Sequence, residues 1–195
     1  MLRAWPEGDG WHTRLSVAQI TADAPFSRLA GITRWFGVLA GDGVDLEVDA
    51  VAHRVSLGGA ALCFDGAATT VCRLPGGPTR VFNLMLRHRQ GGLEPVQARR
   101  PWQPFPGSVG AAGLFGLFAE RAGWLQLGQA EGTAPVRVAA RSVVWLDGVG
   151  QALCFVPDDE LSAAPARSGA WWWWSAADAV GAADATSTSN GLASP

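Results

Sequence analysis

The sequence predicts an all-β chain, with short strands gathered in two clusters as two small barrels or a two-lobed sandwich. Three observations carry that expectation. Apolar and polar residues alternate with period two, glycine turns separate the runs, and no long amphipathic helical pattern interrupts either cluster.

The first strand is expected from Trp11 to Ala18. Trp11, Leu15 and Val17 fall on one face of it, with His12, Arg14 and Ser16 on the other. An apolar run, Trp35–Ala40, follows Arg34, and a Gly41-Asp42-Gly43 hairpin turn closes it. Val44 to Asp49 then alternates apolar and acidic residues without a break, the pattern of a strand with one wet face. Further strands are expected over Ala60–Phe64, Thr69–Leu74 and Thr79–Arg87, separated by Gly58-Gly59 and Gly76-Gly77-Pro78.

From His88 to Gly113 the chain is rich in Arg, Gln, Pro and Gly and reads as a loop, its Arg99-Arg100 and Arg87–Arg89 clusters solvated. Strand-like runs resume at Leu114–Ala119, Gly123–Leu127, Val136–Ala140, Ser142–Leu146 and Ala152–Val156. No letter-by-letter repeat relates the two clusters, so duplication is expected at the level of topology alone. Trp171 to Trp174 are four consecutive aromatics, read as a terminal strand buried on both faces. The sharper alternative is an exposed aromatic patch. From Ala176 to Pro195 only Val180 and Leu192 are sizeable hydrophobes, so this tail is expected to be disordered.

Composition narrows the function classes. A chain of 195 residues with 48% hydrophobic and 16% charged residues is globular. The formal charge of -2 gives no footprint for nucleic acid, and no apolar run is long enough for a membrane span. All 15 basic residues are Arg. The N-terminus lacks the apolar core of a secretory signal, and Cys63, Cys72 and Cys154 make an odd set without a CxxC pair. A cytoplasmic location with free, mostly buried thiols is expected.

No catalytic or metal cluster announces itself. His12, His53 and His88 lie in separate segments with no ligand spacing, so no metal and no other cofactor is expected. No nucleophile elbow is present. What remains is polar residues inside apolar strands. Asn83 shares a face with Val81 and Met85, Arg14 shares one with Ser16, and Arg34 opens the Trp35–Ala40 run. A buried polar group left unpaired costs about 1–3 kcal/mol, so these residues either satisfy one another or line a wet cavity. Guanidinium groups beside an amide suit a carboxylate-bearing small molecule. The alternative is that they brace loops.

Three blocks give these residues a context. Arg14-Leu15-Ser16, then Phe26-Ser27 with Gly31-Ile32-Thr33-Arg34, then Phe82-Asn83-Leu84-Met85 together resemble the HutD/Ves family of cupin-like proteins. The blocks cover residues 5–90 well and 114–156 loosely. The resemblance implies a two-lobed cupin (bicupin) without the usual metal ligands. Its lobes would be 1–90 and 114–175, joined by a loop over 91–113, with a tail over 176–195. It implies a non-catalytic protein of histidine utilization that senses a small acidic metabolite such as formylglutamate. The binding residues it carries over are Arg14, Arg34 and Asn83, with Ser16 and Phe26 beside them. Family members also place a glycine-rich strand ahead of the equivalent of Trp5, and a proline where this chain has Ala30. A missing first strand would leave a sheet edge that pairs with a second copy as a homodimer, or a pocket wall open to water. The rival expectations are a metal-independent cupin isomerase or hydrolase with His12 as its acid or base, and a degenerate homologue that binds nothing.

Overall fold

A computed structural model describes residues 3–105, 112–128, 133–158 and 168–175. The described residues form sixteen strands and no helix, so none is present that could cross a membrane. The first nine are β1 (Arg3–Trp5), β2 (Thr13–Ile20), β3 (Ala24–Pro25), β4 (Ile32–Ala40), β5 (Val44–Val48), β6 (Val51–Val55), β7 (Leu62–Asp65), β8 (Thr70–Arg73) and β9 (Thr79–Arg87). The others are β10 (Gln90–Pro95), β11 (Ala112–Ala119), β12 (Gly123–Leu127), β13 (Val136–Val138), β14 (Ser142–Val149), β15 (Leu153–Pro157) and β16 (Gly169–Ser175).

Four sheets result, with strand orders β1-β2-β9-β4-β7, β3-β8-β5-β6, β10-β16-β11-β14 and β13-β12-β15. They stack as four layers because the inner strands are apolar on both faces. On β9, Phe82, Leu84 and Leu86 join Leu93, Leu114, Phe118, Trp172 and Trp174 in a core between the first and third sheets. Val81, on the opposite face, joins Phe36, Val44, Leu46 and Cys72 in the core under the second sheet. Phe115, Leu117, Leu125, Phe155 and Trp171 fill the space between the third and fourth sheets. The connectivity repeats: β11 to β16 visit the third and fourth sheets in the order that β4 to β9 visit the first and second.

Two sequence expectations are corrected here, and a third is met. Gly41-Asp42-Gly43 is not a hairpin turn, because β4 and β5 belong to different sheets. Gly41 (φ 99°) and Gly43 (φ 91°) bend the chain from one sheet to the next, and a Cβ on Gly43 would lie 2.5 Å from the Val55 carbonyl oxygen. The connection over 91–113 is not a loop throughout: β10 runs through Gln90–Pro95, where Gly91 and Gly92 admit close approach of Trp173. Glycine and proline there hid a strand paired along its length with β16. The Trp171–Trp174 tract is the buried terminal strand, not an exposed patch, its residues pairing on both sides with β10 and β11. The tail from Ala176 lies outside the described residues. Cys63, Cys72 and Cys154 are free as expected, but only Cys72 is buried, Cys63 being exposed and Cys154 half-buried.

Candidate functional site

One cavity of about 410 Å³ opens on the β2-β9-β4 face that meets the second sheet. Register builds it rung by rung. Arg14 and Arg34 are the cross-strand neighbours of Met85, Ser16 and Phe36 flank Asn83, and Ala18 and Val38 flank Val81. Because side chains alternate, Arg14, Ser16 and Ala18 face the cavity while Leu15 packs into the core behind. The opposite wall is the segment after β3, with Phe26, Ser27 and Leu29.

All five residues singled out in the sequence therefore meet: Arg14, Ser16, Phe26, Arg34 and Asn83 line this one cavity. Arg34 and Asn83 form its floor, 7% and 4% exposed. The Arg34 Nη2 donates to Asn83 Oδ1 at 3.1 Å. The Arg34 guanidinium lies 4.7 Å from the Phe26 ring centroid and 5.3 Å from that of Phe64. These contacts fix the guanidinium without neutralising it. Arg14 is half-buried, its guanidinium 5.9 Å from the Trp11 ring.

Neither arginine forms an ion pair among the described residues, and the Nε of each is buried without an acceptor. The Nε groups of Arg3 and Arg80 are buried without acceptors too, but those two arginines are ion-paired with Glu7 and Glu120, and Arg14 and Arg34 are not. Burial, reinforced by the charge of Arg14, pulls the Arg34 guanidinium below the usual arginine value. The cavity is thus an electropositive, partly dry recess with an amide and a hydroxyl beside the charges. Such a surface attracts an anion, and a planar carboxylate matches the guanidinium edge.

His12 does not join the cavity, which corrects the expectation behind an enzyme. It precedes β2, its ring sits 4.9 Å from that of Trp174, and its Nδ1 lies 3.0 Å from Thr13 Oγ1. Burial and nearby Arg89 pull its pKa below the ordinary value. The alternation that would pair it with Arg14 starts only at Thr13, after the chain has turned. No three His, Cys, Asp or Glu side chains among the described residues gather to hold a metal.

Sequence reasoning missed Phe36, which follows from alternation with Arg34, and also Leu29 and Phe64. The last two carry no local signal, since folding brings Leu29 to the cavity and Phe64 to the Arg34 guanidinium.

Comparison with known proteins bears on the family and the fold. The HutD family model matches residues 1–163. An uncharacterized 21.2 kDa protein from the hutC 3′ region of Pseudomonas putida is 43% identical over 79 residues. That match spans 40% of this chain and 40% of the relative's length. Among solved structures, a conserved protein of unknown function from Pseudomonas aeruginosa PAO1 aligns with a TM-score of 0.63 at 26% identity. The alignment covers 86% of this chain and 80% of that one. HutD from Pseudomonas fluorescens SBW25 shares the fold, with a TM-score of 0.60 at 22% identity over 86% of this chain and 83% of that one.

Proposed function

Since the chain belongs to the HutD family, we propose that it binds a small carboxylate-bearing metabolite in the Arg14–Arg34 cavity and does not transform it. The role is that of a cytoplasmic sensor in histidine utilization, in keeping with the hutC 3′ region that encodes the Pseudomonas putida relative. One observation carries the reading: two guanidinium groups share a cavity with buried Nε–H donors and no described carboxylate partner. Like charges oppose each other there, and an anion between them reverses the sign of the interaction. The two halves act as two cupin-like lobes of which the first carries the site. The polar members of the lining are Arg14, Arg34, Asn83 and two serines, with no His, Asp or Glu among them to serve as acid or base or to activate a serine.

The test is thermal unfolding of the wild type and Arg34→Gln with a panel of acids, formylglutamate and glutarate included, each matched to its uncharged amide. At a hundredfold excess over its dissociation constant, a bound acid stabilises the fold by about 2.7 kcal/mol. At least one acid should do so in the wild type and lose the effect in the variant. Stabilisation by none of them, or stabilisation that survives Arg34→Gln, contradicts the proposal.

A further inference from the structure

From the order of the rungs we infer that the cavity selects acids charged at one end only: a carboxylate head at the Arg14–Met85–Arg34 rung and an uncharged, apolar body beyond it. The inference rests on the carboxylate reading above and narrows its ligand class. Successive residues on one face of a strand are about 6.8 Å apart. One such step from Met85 brings the Ser16–Asn83–Phe36 rung, and a second brings Ala18–Val81–Val38. Along the cavity, polarity therefore falls from two cations, through an amide and a hydroxyl, to alkyl groups.

The far end offers nothing to a second charge. Phe36 and Val81 form its floor, 0% and 1% exposed, and Ala18, Ile20 and Pro25 form its rim. No cationic side chain other than Arg14 and Arg34 lines the cavity. The Asn83 amide, whose Oδ1 accepts from Arg34, stands one rung from the cations and not at this far end. A distal carboxylate laid over Phe36 and Val81 loses water without gaining a partner, whereas a methyl group there buries apolar surface. Acids with carboxylates at both ends, formylglutamate among them, are accordingly the poorer fit.

Heptanoate and pimelate have the same chain length and differ only at the far end, so they separate the two cases. Calorimetric titration of the full chain should show heptanoate binding at least about tenfold more tightly than pimelate, a ratio that one unpaired desolvated charge readily produces. Ile20→Arg, which places a cation at the half-buried rim, should shrink or reverse that ratio. Pimelate binding as tightly as heptanoate to the wild type overturns the inference and leaves the carboxylate reading standing. Failure of both to bind, while another acid of the panel does, overturns it equally. If no acid of any kind binds, both fall together.

Discussion

Asn83 holds the Arg34 guanidinium in place but, being neutral, leaves its charge uncompensated. Asn83→Asp supplies the missing anion from within the protein. The variant should gain about 1.5–3 kcal/mol of stability, the scale of a hydrogen bond to a charged group, and should no longer be stabilised by added acid. Urea unfolding with and without heptanoate checks both halves of that expectation. A second residue-scale prediction concerns His12, whose pKa in the fold is depressed by burial and by Arg89. The unfolded chain then binds more protons below pH about 6.5, so stability is full above that value and declines as pH falls through it. His12→Gln should flatten the decline in unfolding midpoints measured between pH 7.5 and 5. At this scale Arg14, Ser16 and Asn83 were legible in the sequence because alternation alone places each on a strand face. Phe64, stacked on Arg34, was not, since β7 comes beside β4 only through long-range pairing.

At the scale of the element, β16 gives the second half a different lining from that of the cavity. By strand order β16 occupies in the third sheet the place β9 holds in the first. Where β9 presents Asn83 between Val81 and Met85, β16 presents Trp171 and Trp173. Trp171 stacks on Trp102 at 5.0 Å, and Trp173 meets Phe105 edge-on at 5.5 Å. Indole rings thus stand where the first half has an amide, and the recess beside Trp171 and Trp102 carries Glu94, Gln97 and Arg100 in place of two unpaired guanidinium groups. The alternate residues, Trp172 and Trp174, face the other way and join the core against the first sheet. Trp172→Ala should cost about 3–5 kcal/mol because it empties a fully buried site between two sheets. Trp145→Ala, at a residue 42% exposed on β14, should cost under about 1 kcal/mol. Guanidinium unfolding of the two variants makes the comparison. Sequence pattern revealed the buried Trp strand and most others, but not β10, whose glycines and terminal proline imitate a loop. It also mistook Gly41-Asp42-Gly43 for a hairpin turn, because a turn sequence does not say which sheet the chain enters next.

For the whole molecule, the four-layer stack isolates the cavity from the Trp-rich core. The first sheet is the divider, with Phe82 stacked on Phe118 at 5.2 Å on one side and Arg34 and Asn83 on the other. An ion pair between Arg80 of β9 and Glu120, just past β11, ties the two halves at the edge of that contact. Burial pushes the Glu120 carboxyl up and the Arg80 charge opposes the shift, so the pair sits in a partly dry setting. Two halves with the same strand order but different interiors leave the Arg14–Arg34 recess on the first sheet. The proposed binding role rests on the two guanidinium groups held in that recess. The most direct measurement is nuclear magnetic resonance of the arginine Nε–H groups during titration with sodium acetate, against sodium chloride at matched ionic strength. The Nε–H signals of Arg14 and Arg34 should move together and saturate, while those of exposed Arg54 and Arg137 respond equally to both salts. Signals of Arg14 and Arg34 that stay fixed in acetate, or follow the two salts alike, would contradict a carboxylate site in this cavity.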